Sequence, residues 1–549
     1  MKRYSIGVDF GSLSARSVVL DLETGEIVAQ AVSPYLHGIL TEQLPDGTPL
    51  GSDWALQVPA DYHLALFDTV RESVKLAHIP PEQIVGIGID ATASTVLPTL
   101  ADGTPLCELP RFASEPHAYI KLWKHHSAQK YAEKMEELAA AEDPLWFVQS
   151  GRKISSEHFL PKAVQIAAEA PEVYAAADRI VEVGDWLVQQ LCAEESRNYC
   201  AAAFKTYYRE ESGDLSPDFL QKLCPAVLNL SEKFPRRILK AGDCAGCLTE
   251  EAAASLGLIP GISVSAAAVD AHVTMVGCHV AKPGELVMVV GTSACELLLD
   301  RGLYEVSGIN GTVYEGLLPE VYIYEAGQSC AGDMIAWFFD NAIPSALAEE
   351  AKKSGKSIHS LMEEKAAACP PGANGLVALD WWNGARSLPM DFELTGLLIG
   401  LTIESEPAEI YRALLESIVF GTKRILQELE QKGMKVSRII AAGGIPLKNE
   451  LMMQIYADVC GVEVYCPLQE QTGAVGSALL GAAAGGSGFR GLPDLINALP
   501  RQPLKIYRPN QEAVEQYRQV YGLYAELYEY FSTNKRIMHR LKSLRKTEC

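Results

Sequence analysis

A two-domain α/β fold, with mixed sheets covered by helices, is what this sequence predicts, and three observations carry it. The chain has 549 residues and is 48% hydrophobic, more than one core usually supports. Two segments nearly half the chain apart, YSIGVDFGSLSARSVVLD ending at Asp21 and GELVMVVGTSACELLLD ending at Asp300, each read as strand, glycine-centred turn, strand. Between and after them, helical patterns alternate with short apolar runs: QIVGIGID to Asp90, RIVEVGDWLVQQLC around Asp185, and RIIAAGG to Gly444.

A repeated hairpin implies two domains of similar construction, with a boundary near residue 279, between SAAAVDAHVTMVGC and AKPGELVMVV. The expected domains are 1–279 and 280–549. Stretches rich in Gly and Ala, such as LLGAAAGGSG from Leu479, read as helices lying close on a sheet, where small residues let backbones approach.

The balance of 47 Lys and Arg against 69 Asp and Glu gives a formal charge of −22. That charge repels phosphate backbones and anionic lipid at long range, so neither nucleic acid nor a membrane surface is expected as a partner. A nucleotide is still admissible where backbone N–H groups and a divalent cation offset its charge locally. Thirteen Cys, an odd number scattered through a long chain, point to reduced thiols. The one C-x-x-C, Cys244 to Cys247, lacks a second pair and reads as two loop thiols. The N-terminus runs from Lys2 and Arg3 to Asp9 without an apolar leader, and no apolar run reaches membrane-spanning length, so a cytoplasmic protein is expected.

In VDFGSLSAR, Asp9 ends a strand and Gly11 opens a turn carrying Ser12, Ser14 and Arg16. Such a turn can aim N–H groups at a phosphate while the carboxylate holds a hydrated Mg²⁺, although Asp-x-Gly turns also occur as plain hairpin chemistry. The second hairpin turn, Gly291-Thr292-Ser293, repeats the pattern, and two such turns could clamp β- and γ-phosphates. A third loop, AAGGIPLKN, joins a strand to a helix; Gly443 and Gly444 would let an adenosine lie against backbone, with Asn449 following. Taken singly it is also an ordinary strand-to-helix turn.

The order of these loops, DFGS, VDAHVTMVG, VGTSA and AAGGIP, is similar to that of the FGGY carbohydrate kinases. TGLLIGLTIESEPAEIYRALLE, from Thr395 to Glu416, resembles the C-terminal signature of that family, with Gly396, Gly400, Glu409, Ala413 and Glu416 in place. The resemblance runs from Tyr4 to about Gly486. It implies a two-domain actin-like (ribonuclease H-like) fold with an interdomain cleft, and a kinase that uses ATP and Mg²⁺. GIGIDATASTVLP, LWKHHSAQ and DWWNGARSL resemble the members that act on L-ribulose, which implies phosphorylation at its 5-hydroxyl in L-arabinose catabolism. Other ketopentoses or pentitols (D-ribulose, D-xylulose, ribitol) stand as alternatives, and a non-catalytic sugar sensor as a more distant one. The expected partners are the sugar and ATP, with a homodimer allowed.

The resemblance gives Asp270 the role of general base. Asp270 is also the only acidic residue between Gly261 and Ala281, and phosphoryl transfer needs one carboxylate to orient and deprotonate the nucleophile. The bland alternative is an N-cap on the helix that follows. For the sugar, the expected contacts are Asp90, Thr92, Lys205 and His272, with Glu325 and Gln328 from YIYEAGQS. A metal site at His117, His125 and His126 lacks a carboxylate in register. SGKS at 354–357 imitates the end of a P-loop, yet Glu350 stands where the first glycine belongs and the surroundings read as helix.

Overall fold

The computed structural model describes residues 2–545 except 487, 490, 501, 502, 534 and 535. The chain divides into two compact units, one of Met1–Ala281, Thr312–Ile323 and Gln471–Gln502, the other of Lys282–Gly311, Tyr324–Glu470 and Pro503–Cys549. The sequence expectation of one boundary near residue 279 meets a chain that also returns to the first unit late, through residues 471–502.

The first unit is built on a seven-stranded sheet of β1 (Tyr4–Phe10), β2 (Ser14–Asp21), β3 (Ile27–Pro34), β4 (Ile84–Ala91), β5 (Cys244–Cys247), β6 (Ser263–Ser265) and β7 (Ala268–Val269). Its order is β5-β6-β4-β1-β2-β3, with β7 also against β4. β1 and β2 form the antiparallel hairpin read from the sequence, and β1 runs parallel to β4 in a register that sets Asp9 opposite Asp90. β1 and β4 are buried almost throughout, as a sheet covered on both faces requires.

Helix Thr472–Ala484 lies on β1 and β4. There the backbones touch: a Cβ added at Gly86 would fall 1.9 Å from Gly481 O, and one at Gly88 the same distance from Ser477 O. The glycines of GIGIDA therefore serve packing. Beside this sheet a four-stranded sheet (Leu56–Gln57, Ile120–Lys121, Val96–Thr99, Arg179–Glu182) carries its own apolar core, to which Phe147, Phe159 and Phe219 belong.

A second seven-stranded sheet repeats the plan with β8 (Glu285–Val290), β9 (Ala294–Asp300), β10 (Gly311–Tyr314), β11 (Tyr322–Gln328), β12 (Arg438–Ala442), β13 (Val464–Pro467) and β14 (Leu504–Tyr507). Their order is β10-β11-β9-β8-β12-β13-β14. β8 pairs β9 antiparallel and β12 parallel, as β1 pairs β2 and β4. The duplication seen in the hairpins thus extends to whole sheets.

The Thr395–Glu416 segment proves to be architecture. Glu406 and Glu409 form a capping box that starts helix Pro407–Gln431. Gly400 has φ +98° and sits against the Gly375 carbonyl. The Glu416 carboxylate accepts from Arg412 Nε (2.8 Å), Gly372 N–H (3.2 Å) and Tyr517 Oη (2.9 Å) inside the core.

Two minor motifs resolve as well. SGKS lies where helix Ser345–Ser354 ends on Gly355 in the left-handed conformation and Ser357 caps helix Ile358–Ala367. The C-x-x-C lies in strand β5, not in a loop, with Cys244 Sγ 3.3 Å from Gly246 O. Among the described residues the cysteines carry no disulfide, no group of three or more His, Cys, Asp or Glu is arranged to hold a metal ion, and no helix is long and apolar enough to cross a membrane.

Candidate active site

In the first unit three neighbouring strands, β1, β4 and β7, run parallel in pairs and end in carboxylates: Asp9, Asp90 and Asp270. In open α/β sheets such strand ends are where ligands gather. The three acids differ in environment. Asp90 is fully buried; its Oδ2 accepts from Ser477 Oγ at 2.6 Å, and its Oδ1 has no partner. Burial first, then the charges of Asp9 and Asp270, holds its carboxyl well above the usual range. A sugar contact through the Asp90 side chain does not fit this burial.

Asp9 is partly exposed, with Oδ2 3.5 Å from Arg16 Nη1. Gly473 packs closely on it, since a Cβ there would stand 3.1 Å from Asp9 Oδ2. The adjoining turn is fastened by Gly11 N–H to Ser14 O (3.1 Å), and Ser12 accepts from Gln57 Nε2 at its carbonyl (2.9 Å) and from Trp123 Nε1 at its hydroxyl (3.0 Å).

Asp270 is the first helical residue of Asp270–Gly277, with Val269 at the N-cap, so the capping alternative does not describe it. Its Oδ1 accepts from the Ala271 N–H at 2.7 Å, and its carboxylate is half-buried. Two residues on, His272 is fully buried, with Nδ1 2.8 Å from Cys200 Sγ and its ring against Phe204. Lys205 ends helix Tyr199–Lys205, which also carries Cys200 and Phe204. Asp270, His272 and Lys205 thus come from elements joined by the Cys200–His272 contact. Thr92 follows β4, its N–H on Phe10 O (3.2 Å) and its hydroxyl 2.8 Å from that of Thr95.

The second unit holds the other predicted residues. β8 and β12 are parallel neighbours, so the turn Gly291-Thr292-Ser293 after one lies next to Gly443-Gly444 after the other. Thr292 O accepts from the Ala331 (2.8 Å) and Asp333 (3.2 Å) amides, and Ser293 Oγ from Arg386 (3.3 Å). Gly443 has φ +104° and would place a Cβ 2.5 Å from Val290 O, so the fold requires it. Around Gly444, as around Gly291, a Cβ would meet nothing within 4 Å. Packing alone does not account for those two glycines.

Asn449 is committed elsewhere: it caps helix Glu450–Cys460 through Met452 N–H (2.9 Å) and donates to Tyr411 Oη (2.9 Å). Gln328 is likewise engaged, its amide donating to Asp380 Oδ2 and Ile418 O (2.8 Å each) and its carbonyl accepting from Thr422 (3.0 Å). Both are framework side chains. Glu325 is buried, with Oε1 3.2 Å from Asn310 Nδ2.

His125 accepts from Ala55 N–H at Nδ1 (3.2 Å) and meets Gln165 at Nε2 (2.9 Å), a neutral imidazole held well below the usual range by burial. His117 lies 3.5 Å from Glu169 and His126 3.8 Å from Glu157, and among the described residues no group of three or more His, Cys, Asp or Glu gathers there to hold a metal ion. Sequence reading missed Gln57, Trp123, Lys162, Glu182 and Ser477. The available signal was a lone Lys in the apolar FLPKAVQIAAE and a lone Glu in RIVEV.

Comparison with known proteins adds the following. Residues 4–277 match the model of the N-terminal domain, and 286–485 that of the C-terminal domain, of the FGGY family of carbohydrate kinases. The chain is 43% identical over 538 residues to a protein named ribulokinase from Bacillus licheniformis, covering 97% of this chain and 98% of that one. It is 43% identical over 551 residues to another so named from Shouchella clausii, covering 99% and 98%. Among solved structures, a gluconate kinase (TM-score 0.80) and a xylulose kinase (0.79), both from Lactobacillus acidophilus, share its fold at 17% identity over 97% of this chain and 99% of theirs.

Proposed function

The chain belongs to the FGGY family of carbohydrate kinases, and on that premise we propose that it transfers the γ-phosphoryl group of ATP to the 5-hydroxyl of L-ribulose. Near-full-length similarity to proteins named ribulokinase supports the choice of sugar. The observation that carries the chemistry is Asp270, a half-buried acid at a strand end whose backbone is fixed by the helix it begins. It accepts the proton of the attacking hydroxyl. Asp90 beside it is fully buried and bonded to Ser477, which sets it apart from that role.

Thr92, Lys205 and His272 orient the sugar. In the first unit the Gly11 turn can receive phosphate; in the second, the Gly291 turn can receive phosphate and Gly444 the adenosine. Asp9, partly exposed near the end of β1, would hold a hydrated Mg²⁺, which supplies charge neutralisation to phosphate when bound. Its cysteines, which carry no disulfide among the described residues, suit a reducing compartment, and the reading places the protein in the cytoplasm. Sedimentation tests assembly as a homodimer.

A coupled ADP-release assay across L-ribulose, D-ribulose, D-xylulose, ribitol and glycerol tests the substrate; a better rate on any other sugar would reassign it. Asp270→Asn tests the base. Asn keeps the shape, so the fold survives and kcat falls by roughly 10²–10⁴. A folded variant within about threefold of the parent would refute the assignment, since general-base loss costs far more, and would turn attention to Glu325.

A further inference from the structure

The turn 92–95, between β4 and strand Val96–Thr99, is gripped by two ionisable side chains. Glu182 ends strand Arg179–Glu182; its Oε1 accepts the Ser94 N–H (3.1 Å) and its Oε2 the Thr95 N–H (3.0 Å). Lys162, fully buried in helix Phe159–Glu169, donates from Nζ to Ser94 O and Leu122 O (2.8 Å each) and to Trp123 O (3.1 Å). The peptide groups on both sides of Ser94 are therefore held. Ser94 has φ +54°, a conformation that persists where surroundings over-determine it.

Lys162 also reaches beyond this turn. Trp123, whose carbonyl it holds, donates in turn to Ser12 in the first hairpin loop. The charge of Lys205 is felt at Lys162. Burial pushes Lys162 down to about 7 and Glu182 up to about 8. Burying two ionisable side chains costs desolvation, so a role in specifying one conformation accounts for both better than stability does.

We propose that Lys162 and Glu182 are positioning residues that hold the 92–95 turn in the conformation that receives the sugar. This rests on the placement of Thr92 and Lys205 at the sugar. Each side chain acts through the turn without touching substrate.

Lys162→Met and Glu182→Gln test it through separate KM values for L-ribulose and ATP, with Asp270→Asn in parallel. Misplacing a binding turn can cost ~10²-fold in kcat/KM; most of this loss is expected as a sugar KM about tenfold or more higher, with ATP KM within about twofold. A purely structural role would lower active enzyme and leave both KM values unchanged, which would overturn the proposal. Parental clamp variants beside an inactive Asp270→Asn would sink the clamp and spare the site. The reverse pattern would keep the clamp and sink the base. Should neither variant fold, hydrogen exchange in the parent without sugar decides: slow Ser94 and Thr95 amides support the clamp, and exchange at open-turn rates refutes it.

Discussion

Glu296→Gln offers a test of buried electrostatics whose size follows from the geometry. Glu296 lies on β9, fully buried; Oε1 is 2.9 Å from Thr422 Oγ1 and Oε2 has no partner. Thr422 is also 3.0 Å from Gln328 Oε1, and its single hydroxyl hydrogen can serve only one of the two acceptors. A protonated Glu296 resolves this by donating to Thr422, which then donates to Gln328. Burial raises the acid from 4.5 to about 7 in agreement. Between those values the folded chain keeps a proton that the unfolded chain has released. The stability from this group is thus full below pH 4.5 and lost as pH rises through 7, a loss of about 3 kcal/mol at 1.36 kcal/mol per pH unit.

The amide of Gln does not titrate, and its NH₂ can take over the donation to Thr422. Urea unfolding of parent and variant from pH 4 to 8 should give curves that meet near pH 4–5 and separate by about 3 kcal/mol at pH 8, the variant being the more stable. Parallel curves, or a parent that gains on the variant with rising pH, would refute the assignment of a proton to Glu296.

Two further substitutions probe glycines of opposite kinds. Gly444→Val should fold normally, because its Cβ meets nothing, yet weaken ATP binding by about tenfold or more while sparing the sugar, as expected for a branched group in a close backbone contact; calorimetry with unchanged ATP affinity would remove this loop from the site. Gly88→Ala should cost about 3 kcal/mol or more, since its Cβ would stand 1.9 Å from Ser477 O and force helix Thr472–Ala484 off the sheet. A melting temperature within 1 °C or so of the parent would show that the helix does not bear on β4 as described, because a loss of about 3 kcal/mol lowers Tm by roughly 2–4 °C in a chain of this size.

What could be read in advance was local. The paired hairpins stood out because strand, small turn and strand is a short-range pattern, and Asp270 stood out because nothing acidic surrounds it. What escaped depends on partners distant in sequence. Gln328 and Asn449 look like ligand groups in isolation, and only the positions of Asp380, Ile418, Met452 and Tyr411 reveal that their hydrogen bonds are already made. Lys162 and Glu182 escaped for the converse reason: a single charge in an apolar run reads as a surface position until its turn of helix or strand end is seen to be buried. The signature at Thr395–Glu416 identified the family correctly, while its glutamates turn out to cap and brace a helix.

The return of residues 471–502 to the first unit bears on how this protein is made. Ser477 and the Asp90 it bonds are 387 residues apart. At roughly 5–20 residues per second a ribosome needs on the order of 20–80 s to deliver the second after the first. Throughout that interval the glycine-lined face of β1 and β4 has no helix to cover it, and Asp90 lacks its hydroxyl donor. The N-terminal unit must therefore wait for the second unit to emerge before it can close, which makes late completion a time of exposure to chaperones and aggregation. Cutting the gene at the family-domain boundary would make that wait permanent.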